Sequence, residues 1–234
     1  MNQQSKKTIG IVGGMGPEAT GRCFDSIVNN TEAQKDQDHV PVLVYSNPRI
    51  PDRTKYIIDE GENPVPFLKK TAKKLENAGA EILLMPCNTA HYFLDELKLY
   101  VNVDFLDMIK EAISSIPAGS TVGLLATDGT IKTGIYHKYA EENDIKLITP
   151  ERKGQEIVMN AIYGIKAGNK DKSVKNDLVK VANKLQEQGA KWVIAGCTEI
   201  RIALKPSDLE EVELVRPIDE VSRKAIELAG GKVK

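Results

Sequence analysis

The chain has 234 residues, enough for one large domain or two small ones with a substantial core. Its 32 basic and 33 acidic residues leave a net charge of −1, which gives no electrostatic footing for nucleic acid or an anionic membrane surface. No apolar run approaches the roughly 18 residues of a membrane span. The N-terminal MNQQSKKTIGIVGG passes from a basic pair straight into strand-like sequence and glycines, so no secretory leader is expected and a cytoplasmic location is. Three cysteines (Cys23, Cys87 and Cys197) argue against a disulfide framework and for a reducing compartment. Three histidines (His39, His91 and His137) make a histidine-rich metal site hard to build.

In chain order, Thr8–Pro17 (TIGIVGGMGP) reads as a buried strand running into a glycine turn, with Pro17 opening a helix whose pattern takes in Cys23. Val40–Ser46 is a strand, and Asn47–Asn63 a polar, proline-rich loop. Leu68, Ala72 and Leu75 recur at helical spacing, and Gly79 is placed to end that helix with a left-handed cap. ILLM comes next, a short unalternating apolar run of the kind that suits a parallel strand covered on both faces, and Cys87 lies just beyond it. Val103 to Asp107 leads into a helix, Thr121–Thr130 (TVGLLATDGT) repeats the strand-and-turn, and Ile145–Thr149 is a further strand. Leu178, Ala182, Leu185 and Gly189 then repeat the striped, glycine-ended helix; WVIA runs to Cys197; Val215 to Asp219 enters a last helix.

These elements are two copies of one unit. At a constant offset of 110, Phe67–Thr89 lies over Asp177–Glu199 without a gap, and 8 of 23 positions are identical, Cys87 and Cys197 among them. Strands alternating with helices imply parallel sheets with right-handed crossovers. The expected fold is α/β, with two pseudosymmetric lobes. Each is a parallel-sheet α/β/α sandwich, and the active site lies in the cleft between them. The expected division is 1–105, completed by 216–234, and 106–215.

Ligands in such sheets sit beyond the carboxyl ends of the strands, where both cysteines fall. Cys23 fits the ordinary reading of a buried cysteine as a small apolar residue. Cys87 and Cys197 hold equivalent strand-end positions and are followed by hydrogen-bonding residues, Asn88-Thr89 and Thr198-Glu199. A helix starting there is expected to lower the thiol pKa. His91, four residues after Cys87, is the nearby candidate base; the second copy has Arg201 instead, which weakens a Cys–His nucleophile. Cys87 and His91 alone do not make a metal site. Two like thiols suit a pseudosymmetric reaction, in which one takes a proton from one face of a carbon and the other returns one to the opposite face. That is racemisation or epimerisation.

PCNTAH (Pro86–His91), GCTE (Gly196–Glu199), GIVGGMGP (Gly10–Pro17), NPRIPDRT (Asn47–Thr54), GLLAT-x-GT (Gly123–Thr130) and IYGIKAGN (Ile162–Asn169) together resemble the aspartate racemases of the cofactor-independent aspartate/glutamate racemase superfamily, over about residues 8 to 229. Glutamate racemases are similar at greater distance, their second motif usually reading GCTH where this chain has Glu199. The resemblance implies catalytic Cys87 and Cys197, no pyridoxal phosphate and no metal, and a small dicarboxylic amino acid as substrate. It also implies a homodimer. Arg53 and Lys166 are similar to the cations that hold the distal carboxylate. Asn88, Thr89, Thr127, Thr130 and Thr198 are placed to bind the α-carboxylate and steady the thiols, and Met15 and Gly16 lie where backbone approaches the ligand. The threonines also suit helix caps. Glu199 either anchors its turn or raises the basicity of Cys197. Asp128, turned into the site, would repel a diacid.

Broad-specificity and glutamate-preferring racemases are the nearest alternatives. Some relatives in the wider superfamily are isomerases or decarboxylases with one cysteine. Of other classes, a small-molecule sensor leaves the paired thiols unexplained. Gly14-x-Gly16-x-x-Ala19 satisfies a dinucleotide-binding pattern formally, but the second strand ends in Ser46, Asn47 and Pro48 with no acidic residue for the ribose.

Overall fold

The short apolar runs become the strands of two parallel four-stranded sheets with the same connectivity, the order along each sheet being second, first, third and fourth strand in chain order. The structure, a computed structural model, describes residues 6–58, 61–169 and 171–234. The chain divides into two compact units: one runs through Glu111 and is rejoined by Ile218–Lys234, and the other is Ala112–Pro217.

The first unit contains β1 (Ile9–Gly13), α1 (Pro17–Asn30), β2 (Val42–Ser46), α2 (Arg53–Ile57), α3 (Val65–Asn77) and β3 (Ile82–Leu84). A 3-10 turn (Thr89–Phe93) comes next, then α4 (Leu94–Lys98), β4 (Asp104–Phe105) and the start of α5 (Met108–Ser114), on which the chain passes into the second unit. That unit holds β5 (Thr121–Ala126), α6 (Asp128–Lys132), α7 (Ile135–Glu142), β6 (Lys146–Ile148), α8 (Arg152–Lys166), α9 (Lys172–Glu187), β7 (Trp192–Gly196), α10 (Thr198–Ala203) and β8 (Glu213–Val215). Helix α11 (Pro217–Leu228) returns to the first unit.

Side chains alternate across the first sheet. Ile9, Ile11, Ile82 and Leu84 join Cys23, Ile27, Met108, Val221 and Ala225 on one face. Val12, Leu83 and Met85 join Leu68, Ala72, Leu75 and Leu97 on the other. Both faces of these strands are covered, which is why their sequences are apolar at every position. Burying each such Leu or Ile is worth about 1.5–3 kcal/mol. Cys23, fully buried in α1, belongs to this packing. In the second unit, Leu125, Val193 and Ala195 pack on Leu178, Ala182 and Leu185 in the same way.

The glycine caps form as their spacing requires. Gly79 has φ 97°, its N–H donates to Glu76 O at 2.9 Å, and Ala80 N–H donates to Leu75 O at 3.0 Å. Gly189 has φ 100°, with the matching bonds to Gln186 O at 2.7 Å and from Ala190 N–H to Leu185 O at 3.0 Å. Each is the paired-bond ending that only a left-handed residue permits.

The expected loop over Asn47–Asn63 instead contains α2; its residues 59 and 60 lie outside the described residues. Asp52 caps α2 by accepting from Lys55 N–H at 3.0 Å, so the PDRT motif starts a helix. Among the described residues, no helix is long and apolar enough to cross a membrane.

Gly14 has φ 102°, and a Cβ there would lie 2.2 Å from the Asn47 backbone. Left-handed strain and overpacking then act together in Gly14→Ala, which is expected to lose about 2 kcal/mol or more. Urea denaturation should give a lower midpoint at unchanged slope.

Candidate active site

In the first unit, the predicted residues Met15, Gly16, Arg53, Cys87, Asn88 and Thr89 all come after the carboxyl ends of β1, β2 and β3. The turn after β1 is braced internally: Gly14 N–H donates to Thr20 Oγ1 at 2.8 Å, and Thr20 Oγ1 donates to Gly16 O at 3.0 Å. The Gly14 conformation serves contact with Thr20 and the Asn47 backbone. Met15 and Cys87 belong to one apolar cluster with Ile50 and Val65.

Arg53, first residue of α2, is 9% exposed. Its Nη1 donates to Pro51 O at 2.8 Å and to Ile50 O at 3.3 Å, fixing the guanidinium against its own loop. Its Nε–H is buried with no hydrogen-bond partner among the described residues. A buried donor left in this state costs about 1–3 kcal/mol, more when charged. Helix α2 packs against the 3-10 turn beyond Cys87, with Tyr56 and Phe93 rings 5.8 Å apart.

Cys87 is 6% exposed, and its N–H donates to Met85 O at 2.8 Å across Pro86. The next segment is the 3-10 turn rather than the α-helix expected there. Asn88 and Thr89 are buried at its start. His91 does not act as a base toward the Cys87 sulfur: its Nδ1 lies 2.8 Å from the Cys87 carbonyl, and its Nε2 accepts from Met108 N–H at 3.1 Å.

In the second unit, Thr127 and Thr130 come after β5, Cys197, Thr198 and Glu199 come after β7, and Lys166 ends α8. Thr127 caps α6, its Oγ1 accepting from Thr130 N–H at 3.1 Å with the two hydroxyls 3.0 Å apart. The capping alternative for the threonines therefore applies to Thr127. Asp128 is exposed, and its Oδ1 accepts from Gln155 Nε2 at 2.7 Å, while the same amide also donates to Ala126 O at 3.0 Å. Gln155 on α8, not singled out in the sequence, thus draws the Asp128 carboxylate toward that helix.

Cys197, 8% exposed, is the N-cap residue of α10. Its Sγ donates to Glu199 Oε2 at 2.9 Å, and Thr198 Oγ1 donates to the same oxygen at 3.2 Å. Glu199 is therefore a direct partner of the thiol. The helix start does act in the expected direction, the Glu199 backbone N–H lowering this thiol's pKa, but it is outweighed. Burial pushes the Cys197 thiol well above its ordinary range, and the Glu199 carboxylate adds to the rise. Lys166 acts in the opposite direction, favouring the thiolate; its Nζ lies 5.4 Å from the centre of the Tyr163 ring. α8 and α10 pack together, which brings this cation into range. Among the described residues, no group of three His, Cys, Asp or Glu side chains is arranged to hold a metal ion.

Comparison with known proteins bears on what this arrangement does. Residues 12–225 match the model of the Asp/Glu/hydantoin racemase family. The solved aspartate racemase of Picrophilus torridus is 30% identical, with a TM-score of 0.87 over 97% of this chain and 96% of that one. An aspartate racemase homologue from Pyrococcus horikoshii OT3 is 28% identical, with a TM-score of 0.75 over 96% and 99%. A broad specificity amino-acid racemase of Bacillus subtilis (strain 168) is 29% identical over 201 residues, covering 84% of this chain and 87% of the relative. With its duplicated parallel sheets and a match running through both units, the chain belongs to the Asp/Glu/hydantoin racemase family and is an isomerase, an amino-acid racemase.

Proposed function

We propose that the protein interconverts the L and D forms of a dicarboxylic amino acid, aspartate foremost, without pyridoxal phosphate. Cys87 and Cys197 work on opposite faces of the α-carbon. The observation that carries this reading is the equivalence of the two thiols. Both are buried, and both come after the same strand of a duplicated sheet. Arg53, whose buried Nε–H has no hydrogen-bond partner among the described residues, and Lys166 supply the charge to hold a second carboxylate.

In one direction, the Cys87 thiolate takes the α-proton and the Cys197 thiol donates its own to the opposite face. Product leaves with Cys87 protonated and Cys197 as thiolate. Burial and the Glu199 carboxylate favour the protonated form of Cys197, which supports its role as the acid in this direction. To reset, Cys87 gives its extra proton to solvent and Cys197 takes one from solvent; the Glu199 carboxylate, accepting from the thiol at 2.9 Å, favours the protonated sulfur that results. The carbanion is far more basic than a thiolate, so the site must stabilise it with preoriented donors in a dry environment.

The Bacillus subtilis relative favours a second reading, a broader substrate range on the same chemistry. Chiral chromatography of L-aspartate, L-glutamate and neutral amino acids, without added cofactor and in deuterated water, separates the two. Turnover of aspartate with one solvent deuterium at the α-carbon is the expected result. Inverted product lacking solvent deuterium counts against the thiol pair.

Either Cys87→Ala or Cys197→Ala should lower kcat/KM by about 10²–10⁴-fold, equally in both directions because the equilibrium constant of a racemisation is one. Each variant should exchange the α-proton of a single enantiomer faster than its residual inversion. Arg53→Lys loses the forked geometry and should raise KM for aspartate about 10–100-fold, with neutral amino acids unaffected. Glu199→Gln removes a negative charge from beside the sulfur. The Cys197 thiol should then titrate at lower pH, followed by ultraviolet thiolate absorbance with Cys23 and Cys87 replaced by serine.

A further inference from the structure

We infer that His91 is the positioning residue of Cys87, a neutral imidazole that fastens the backbone of this cysteine to the start of α5. The inference rests on the two-thiol reading above and adds a residue to it.

The backbone at Cys87 lacks the support that a regular helix would give. Its N–H turns back over Pro86 to Met85 O at 2.8 Å. The His91 backbone N–H, which in an α-helix would point to Cys87 O, goes to Asn88 O at 3.0 Å in the 3-10 geometry. The Cys87 carbonyl is met by the His91 ring instead, with Nδ1 2.8 Å away. The other ring nitrogen settles the tautomer. Met108 N–H can only donate, so Nε2 at 3.1 Å is the acceptor and Nδ1 carries the proton toward Cys87 O. Both nitrogens are committed in a side chain 2% exposed. Burial holds the imidazole below its ordinary pKa; Asp107 and the Cys87 carbonyl pull the other way, and Lys98 adds to the lowering.

At its far end the tie meets a fixed point. Asp107 Oδ1 accepts from Ile109 N–H and Lys110 N–H, each at 3.0 Å, and Met108 N–H goes to His91. The first three donors of α5 are thereby satisfied, one of them by the ring that holds Cys87. The second copy has no need of such a tie. α10 starts directly at Cys197, whose carbonyl accepts from Ile200 N–H at 3.1 Å, and the equivalent of His91 is Arg201.

Asparagine and glutamine separate the two bonds. In His91→Asn the shorter amide reaches the place of Nδ1 and can donate to Cys87 O. In His91→Gln the longer amide reaches the place of Nε2 and can accept from Met108 N–H. Wild type and these two variants are compared for kcat, KM, thermal melting and the rate at which iodoacetamide alkylates each cysteine, read by peptide mass spectrometry with Cys197 as internal reference. His91→Gln should lose kcat by about 10²-fold, as a displaced reacting group does, with KM little changed. Its Cys87-to-Cys197 alkylation ratio should depart from wild type, and His91→Asn should recover most of both. Equal losses in the two variants that track their melting temperatures, with an unchanged ratio, overturn the inference. Nitrogen-15 spectra of the wild-type imidazole give a check that needs no variant: a neutral ring protonated at Nδ1 supports the inference, and any other tautomer overturns it. Full activity in Cys87→Ala would instead remove the two-thiol reading, while the alkylation ratio and the ring spectrum still report on the tie.

Discussion

A thiol sealed from water needs a specific partner for its proton, and this requirement shapes the surroundings of Cys197 in the second unit. Burial alone drives Cys197 toward the neutral form. The Glu199 carboxylate 2.9 Å from the sulfur strengthens that preference, while Lys166 from α8 opposes it. The sulfur is thus held between one acid and one base, both fixed by helices packed on the same sheet. Thr198, donating to the same carboxylate oxygen, limits the orientations Glu199 can take.

The duplicated framework answers the requirement differently in its two halves. The strand order is the same, the paired-bond glycine caps are the same, and a cysteine comes after the same strand. Beyond the cysteine the copies part. One starts a helix at once, with the thiol residue as its cap; the other makes a tight turn over Pro86, a 3-10 segment and a side-chain tie through His91. The repeated aspartates diverge as well: Asp107 caps α5, whereas Asp219 accepts from Ser26 Oγ at 2.7 Å. Equivalent positions of the two sulfurs therefore come with unlike surroundings.

The framework was legible because it depends on local pattern. Leu68, Ala72 and Leu75 with Gly79, and the matching set ending in Gly189, announce a helix and its stop, and the apolar runs announce covered parallel strands. Features set by competition or by distant contacts were not legible. Proline-rich composition between Asn47 and Asn63 hid α2, which depends on a single cap from Asp52. The direction of the Cys197 shift depends on how far burial outweighs a six-residue helix, and a sequence carries no depth. Asp128 reads as a threat to an acidic substrate until Gln155, 27 residues away, is seen to bind it. His91 reads as a candidate base until its second nitrogen is found on Met108, 17 residues on.

The first unit is discontinuous in sequence, and that has a consequence for how the chain comes off the ribosome. One face of its sheet is covered by Ile218, Val221, Ala225, Ile226 and Ala229, and Lys7 N–H in the approach to β1 donates to Ala229 O at 3.0 Å. None of these partners exists until the segment that follows the second unit has been made. The second unit, Ala112–Pro217, is complete before then. Nascent chains should thus close the later unit first and hold the earlier one open, with Ile9, Ile11, Ile82 and Leu84 in need of chaperone cover until the final helix emerges.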